Sequence, residues 1–372
     1  MTTCFNLSRI AIDAAWLLVD PTLSGSIGTG LRQDADRDLI EAWLAEYLRK
    51  RNTLRAYSRE ARRFWLWWST VRRGRTLQTF GRNDLSDFEA VLASPPTDWV
   101  AKPGSSAWRP FKGPLSPSAR RQALIILQSL FEYLVQGGHL TANPVRLVRD
   151  KGPQPRRAAR QVPSEVSLAA VGRWLTQRAA LADAAGTASR DAFIWQWIYW
   201  TGARRHELAQ GSLGGVVQLS NAGRSRWWWN VVGKGEVEAT IPLTREAVEV
   251  LARFVGCDVT DLAVTIRNNP NRPLVPASRG ALRGVEVTQI YESVRRVAAE
   301  VSAHAEGVGL DIDAALAIGL TRPHALRAFR ATHLFNAGVD ARHVRRFMRH
   351  VDINTTLIYD HTDGERFHDA IP

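Results

Sequence analysis

Cysteine is almost absent: Cys4 and Cys257 are the only two in 372 residues. They lie far apart and in no metal-ligand spacing, which excludes a disulfide framework and fits a reducing cytoplasm. No apolar run approaches the length of a bilayer span. The opening MTTCFNLSRIAIDAAWLLVD carries only a weak apolar patch, broken by Asp13, and no basic start. It reads as neither signal peptide nor anchor. Lysine is scarce as well, confined to positions 50, 102, 112, 151 and 234, so a lysine in a motif position stands out. No internal repeat and no low-complexity tract is present.

What the chain has instead is arginine, which makes up nearly all of its 49 basic residues against 36 acidic ones, a formal net charge of +13. A surplus of that size favours a polyanionic partner, most simply nucleic acid. Arginine suits it, because a planar guanidinium forks phosphate oxygens and never deprotonates. Hydrophobic residues at 45% and charged residues at 23% are an ordinary balance for a soluble globular protein. At this length two domains are expected.

Residues 1–34 read as a poorly specified lead-in, ending in LSGSIGTG. Helical patterning begins at Arg37, with Leu39, Ile40, Trp43, Leu44, Tyr47 and Leu48 on one face. Thr53 is placed to cap a second helix whose face carries Leu54, Tyr57, Ala61, Phe64 and Trp68. A shorter helix follows Asn83. The Pro/Gly/Ser-rich segment at 94–118 reads as a long surface loop, and a fourth helix follows it, with Leu124, Leu127, Phe131 and Leu134 on its face and Gly137–Gly138 as its stop. This makes a helical domain over 35–150. Residues 151–163, DKGPQPRRAARQVP with its preceding Asp150, are basic and lack apolar periodicity, the composition of an interdomain linker that could follow a phosphate backbone.

The second domain, 164–372, opens with a helix from Ser164 and a Trp-rich helix, DAFIWQWIYW. A β-like stretch follows in GVVQLS and RWWWNVVGKGEVEATIPLT, then helices return to the end. Most of the tryptophans are expected in the core, since duplex DNA exposes no base faces for stacking.

Four fragments of this domain carry chemistry together: TGARRHEL (201–208), VVGKGEVEATIPL (231–243), RPHALRAFRATHLFNAGVD (322–340) and FMRHVDINTTLIY (347–359). Breaking a phosphodiester without a metal needs fixed cations where charge builds on the non-bridging oxygens. It also needs a proton donor at the leaving oxygen and a nucleophile that can store the bond as a covalent ester. Arg204 and Arg327 suit the first need, Lys234, His324 and His350 the second, and Tyr359 the third. Each alone is commonplace. Their joint presence and order are not. His333, His343 and His350 could suggest a metal site, but no Cys, Asp or Glu spacing supports one and arginines crowd the segment.

These fragments resemble the tyrosine recombinase, or phage integrase, family of site-specific recombinases. Its T-G-hydrophobic-R-x-x-E-L box is matched by Thr201, Gly202, Arg204, Glu207 and Leu208. Its G-K-G hairpin lysine fits Lys234, and its H-x-L-R box with a following A-T fits His324, Leu326, Arg327, Ala331 and Thr332. Its third histidine, nine residues before the nucleophile with T-T between, fits His350, Thr355, Thr356 and Tyr359. The likeness reaches the first domain more weakly and covers about residues 37–365.

The resemblance implies a mainly α protein. An N-terminal helical (SAM-like) core-binding domain would join a mostly α catalytic domain with a small antiparallel sheet, together clamping duplex DNA in a C shape. It implies that Tyr359 cleaves and rejoins DNA through a 3′-phosphotyrosyl intermediate. Arg204 and Arg327 would then hold the phosphate, helped by His324 and His350, with Lys234 protonating the leaving 5′ oxygen and Glu207 supporting the site. It implies no metal and no other cofactor. Partners would be double-stranded DNA and three further protomers, a homotetramer or hetero-tetramer on two duplexes, with no membrane and no small-molecule substrate. Arg55, Arg62, Arg120, Arg121, Arg156, Arg157 and Arg205 are the expected DNA contacts. The place of action would be the bacterial cytoplasm, at the nucleoid. Two rivals share parts of this pattern: a DNA-binding regulator that has lost catalysis, and a type IB topoisomerase. The sequence departs from the family at Ala328, where a second histidine often stands, and at Arg349, where glycine commonly precedes the third histidine. Arg349 puts bulk and charge beside His350.

Overall fold

The computed structural model describes residues 31–102, 109–147, 161–181, 187–221, 224–233, 238–278, 281–350 and 352–357. The chain divides into two compact units, Met1–Ala158 and Ala159–Pro372. Most of the expected lead-in and linker lie outside the described residues.

The first unit is built from α1 (Leu31–Ala45), α2 (Arg51–Val71), α3 (Arg82–Ala93) and α4 (Pro117–Gln136). The apolar stripes read from the sequence meet in one core around Trp43, Phe64, Trp67, Trp68, Phe88 and Phe131. Several of its rings pack edge to face, as Phe64 does against Phe88 at 5.5 Å, an arrangement that aromatic quadrupoles favour. Helix α2 begins two residues before the expected cap: Lys50 is its N-cap, and Thr53 falls in its first turn. At α4 the Ser116 hydroxyl accepts from the Ala119 N–H at 3.3 Å, and Gly138 follows the helix in a left-handed turn at φ +73°. The expected surface loop at 94–118 is a surface loop only in part. Trp99 and Phe111 from it are buried in the core, and Val100 bridges Phe111, because a loop with two large rings gains by anchoring them.

The second unit holds α5 (Glu165–Leu181), α6 (Thr187–Thr201), α7 (Arg205–Gln210), β1 (Val216–Asn221), β2 (Arg224–Val232), β3 (Glu238–Pro242), α8 (Arg245–Val255), α9 (Leu262–Asn268), α10 (Val287–Ala303), α11 (Ala305–Val308), α12 (Ile312–Gly319), α13 (Pro323–Asn336), α14 (Ala341–Met348) and α15 (Ile353–Leu357). From Ala192 to Tyr199 helix α6 is apolar but for Gln196 and largely buried, and α5, α8, α10 and α13 surround it. The strands form one antiparallel sheet in the order β1-β2-β3. Val216 pairs with Trp229 and Trp229 with Ile241, and all three are buried, so this face of the sheet meets the helices. A buried polar clasp ties α6 to α10: Asp191 accepts Ser293 Oγ at 2.6 Å and Arg296 Nε at 2.8 Å. Among the described residues no helix is long and apolar enough to cross a membrane.

Candidate active site

The site begins where α6 ends. Thr201 Oγ1 donates to the Trp197 carbonyl at 2.6 Å and accepts from the Ala203 N–H at 3.3 Å, closing the helix on itself. Gly202 follows at φ +58°, and a Cβ placed on it would lie 3.0 Å from Met348 Sδ and 3.3 Å from the Phe347 ring. Both the backbone conformation and the close approach disfavour a side chain. This turn delivers Arg204 as the residue before α7. Its backbone N–H donates to Glu207 Oε2 at 2.7 Å, and its Nη1 donates to Glu207 Oε1 at 2.9 Å. Glu207 therefore both caps the first turn and anchors the arginine.

A second segment arrives from α14. That helix closes with His350 N–H on the Arg345 carbonyl and Arg349 N–H on the Arg346 carbonyl, both at 3.1 Å. Arg349 occupies the left-handed position of this closure, at φ +53°, a conformation costing about 1–2 kcal/mol for a residue with a Cβ. Its side chain does not project outward as bulk. It turns inward, donating Nε to Glu207 Oε1 at 3.1 Å, and Nη2 to Glu207 Oε2 at 2.8 Å and to the Gly202 carbonyl at 2.9 Å. Nη1 donates to the Phe347 carbonyl at 2.6 Å, while the Arg349 carbonyl accepts Arg204 Nη2 at 2.7 Å.

The third segment is α13. Arg327 is only 4% exposed, and its guanidinium donates to the Gly202 and Met348 carbonyls. His324 lies one turn earlier, exposed, with Pro323 opening the helix. His350 faces the same place from the α14 side, and its Nδ1 lies 2.9 Å from the Thr356 hydroxyl.

The electrostatics follow from this crowding. Burial pushes the Glu207 carboxyl up, but the Arg349 charge and hydrogen bonds from Arg349 and Arg204 outweigh it and hold Glu207 below the ordinary glutamate value. Burial, followed by the charges of Arg327, Arg204, His324 and Arg349, lowers His350 from 6.5 to about 4. His350 is thus a neutral imidazole at pH 7 in the free protein. Burial also lowers the Arg349 pKa, which the Glu207 charge opposes. A guanidinium starts so high that it stays charged. The arrangement is a patch of fixed positive charge with a neutral imidazole beside it, suited to an oxyanion that gains charge during reaction.

Of the expected set, Arg204, Glu207, Arg327, His324 and His350 come together here. Lys234 and Tyr359 lie outside the described residues, as do Arg156 and Arg157. Arg55 and Arg205 are exposed, and Arg62, Arg120 and Arg121 are half-buried. Arg120 lies close enough to Glu89 for its charge to oppose the effect of burial on that carboxyl. His333 is committed elsewhere: Nδ1 is 2.9 Å from Tyr199 Oη and Nε2 is 2.9 Å from the Pro163 carbonyl. Sequence reasoning noted Arg349 only as a departure and did not foresee its inward bonds. The signal was a bulky residue directly after a helix-ending Arg-Phe-Met run, at a position that must adopt positive φ.

In this helical core arginines, a buried glutamate and histidines converge from three distant segments, a set of groups suited to phosphodiester exchange. The chain belongs to the phage integrase family, whose model matches residues 176–366, just over half of its length. It is a tyrosine recombinase, a site-specific enzyme that breaks and rejoins DNA. It is similar to tyrosine recombinase XerD of Pseudomonas aeruginosa, at 28% identity over 335 residues, covering 90% of this chain and 94% of the relative. It is also similar to XerD of Brucella suis, at 27% over 263 residues, covering 69% and 75%. Among solved structures, the XerH site-specific recombinase bound to palindromic difH substrate in a post-cleavage complex superposes with a TM-score of 0.61. The two share 17% identity over 90% of this chain and 83% of that one. At that identity the likeness speaks for the fold.

Proposed function

We propose that Tyr359 attacks the scissile phosphate, forming a 3′-phosphotyrosyl bond as the bond to the 5′ oxygen breaks, and that Lys234 protonates that leaving oxygen. Arg204 and Arg327 hold the non-bridging oxygens, with His324 and His350 completing the cradle, and Glu207 fixes Arg204. One observation carries this reading: residues 202–207, 324–327 and 349–350 converge, with Thr356 on His350, and their arginines are anchored on main-chain carbonyls. Of the five N–H groups of Arg204, the bonds to Glu207 and Arg349 use two, and its side chain stays 37% exposed, open to a phosphate.

In this reading residues 35–150 grip duplex DNA and 151–163 run along its backbone. Arg55, Arg62, Arg120, Arg121, Arg156, Arg157 and Arg205 meet phosphates, and two duplexes are exchanged within a tetramer at the nucleoid. The XerH neighbour is bound to its own recombination substrate, difH.

The test is a suicide substrate whose nick traps the covalent complex. Wild type should accumulate an adduct on its site, Tyr359→Phe should form none, and both should bind DNA alike. Adduct in Tyr359→Phe, or none with wild type on any genomic fragment, sinks the reading.

A further inference from the structure

We propose that Arg349 is a positioning residue of the cleavage site, neutralising Glu207 from inside so that Arg204 keeps its charge and its outer edge for the phosphate. This rests on the reading that Arg204 binds the scissile phosphate.

The division of labour is set by geometry. Glu207 receives four hydrogen bonds, two on each oxygen: Oε1 from Arg204 Nη1 and Arg349 Nε, and Oε2 from the Arg204 backbone N–H and Arg349 Nη2. The two guanidinium groups are not equivalent. The Arg349 side chain is 8% exposed and that of Arg204 is 37%. The inner arginine therefore serves the carboxylate, and the outer one faces solvent. Two guanidinium groups against one carboxylate leave one net positive charge at the mouth. With Arg349 removed, the same buried carboxylate would face Arg204 alone, cancelling the charge meant for the phosphate.

Arg349 also closes the site mechanically. Its Nη2 bonds the Gly202 carbonyl, which also takes Arg327, and its own carbonyl holds Arg204 Nη2. One residue thus links the turn before α7, the end of α14 and both catalytic arginines. It does so from a left-handed backbone that a side chain disfavours. A surface arginine at that position would carry the same strain with none of these bonds.

The experiment uses the full chain and the suicide substrate. Arg349→Gly suits the φ of this position and should fold, bind DNA like wild type, and form adduct roughly ten- to a hundredfold more slowly at pH 7. Loss of the two bonds from Arg349 also raises the Glu207 pKa, so in the variant that carboxyl takes up a proton at a higher pH. As the negative charge facing Arg204 is removed, the rate deficit relative to wild type should shrink as the medium is acidified. A residue with a merely structural part would lower the rate by the same factor at every pH. Arg349→Lys keeps the charge without the fork, so it should recover part of the rate. It carries the test if the glycine variant does not fold. In the double variant Arg349→Gly/Glu207→Gln, loss of the carboxylate should leave the rate no lower than in Glu207→Gln alone. If wild type forms adduct and Arg349→Gly matches its rate across the pH range, or the two substitutions act additively, the proposal is overturned. If wild type forms no adduct, it is the assignment of the cleavage site that fails.

Discussion

In the first unit, Asp84 accepts Arg72 Nε at 2.8 Å and Arg75 Nη1 at 2.7 Å, and the two guanidinium groups lie over the rings of Trp67 and Trp68. In the second, Glu207 accepts Arg204 and Arg349, and those guanidinium groups lie on carbonyls with His350 nearby. The ion-pair chemistry is the same. The partners of Asp84 are 9 and 12 residues away in sequence and pin one helix to the next. Arg349 is 142 residues from Glu207, so that pair joins segments that only the finished fold brings together. A doubly paired buried acid among aromatic rings is scaffold. One among main-chain carbonyls and an imidazole, with one guanidinium left open to solvent, sits where the reaction site is proposed.

The sharpest way to break this comparison is to neutralise each acid. Glu207→Gln strips a buried carboxylate from an arginine that is almost wholly enclosed, which should destabilise the second unit by about 3–5 kcal/mol. It should also slow adduct formation. Asp84→Asn should cost less, because Arg72 and Arg75 keep 23% and 39% of their side chains in water, and should leave single-turnover cleavage unchanged on saturating DNA. Equal losses of cleavage in the two variants would erase the distinction between scaffold and site.

Two left-handed glycines give a smaller contrast. Gly138→Ala meets nothing within 4 Å, so thermal unfolding should report backbone strain alone, about 1–2 kcal/mol. Gly202→Ala adds collision with Met348 to similar strain and should cost about 1–3 kcal/mol more, with slower cleavage. A Gly202→Ala variant no less stable than Gly138→Ala would mean that the α6–α14 approach is looser than described.

The mildest effect is in pH, and its sign differs between the units. Burial, opposed by the Leu77 N–H and the Trp68 side chain, raises Asp36 in the first unit from 3.8 to about 6. A raised folded pKa gives a contribution that is complete below 3.8 and lost as pH rises through 6. His350 is lowered to about 4, so between 4 and 6.5 the unfolded chain binds the extra proton. Its contribution is complete above 6.5 and lost as pH falls toward 4. Acidification from pH 7 to 5 should therefore tighten the first unit and loosen the second. Hydrogen exchange of peptides from each unit would show it, and parallel changes in both would refute it.

Much of this was legible in the sequence where the cause is local. Gly137 and Gly138 close α4 as its sequence requires, and the face Leu127, Phe131 and Leu134 is buried as its spacing requires. Thr53 failed as a cap because a good capping residue does not oblige a helix to start there, and α2 runs back to Arg51. Trp99 and Phe111 were hidden in a segment whose prolines and glycines spoke for a loop but said nothing of where its rings would go. Short α9 and α12 carry too few turns for periodicity to show. In the site, the motif residues were readable one box at a time. What the sequence does not spell out is which atom holds which, since Arg327, and Arg349 beyond its bonds to Glu207, are held by carbonyls that every residue possesses.

Those carbonyls have an evolutionary consequence. Anchors at Gly202, Phe347, Met348 and Arg349 belong to the peptide chain itself and are blind to mutation, so long as the turn at Gly202 and the closure of α14 keep their paths. A lineage can therefore rewrite most of the surrounding side chains, specialise its DNA target, and still inherit the same cationic frame.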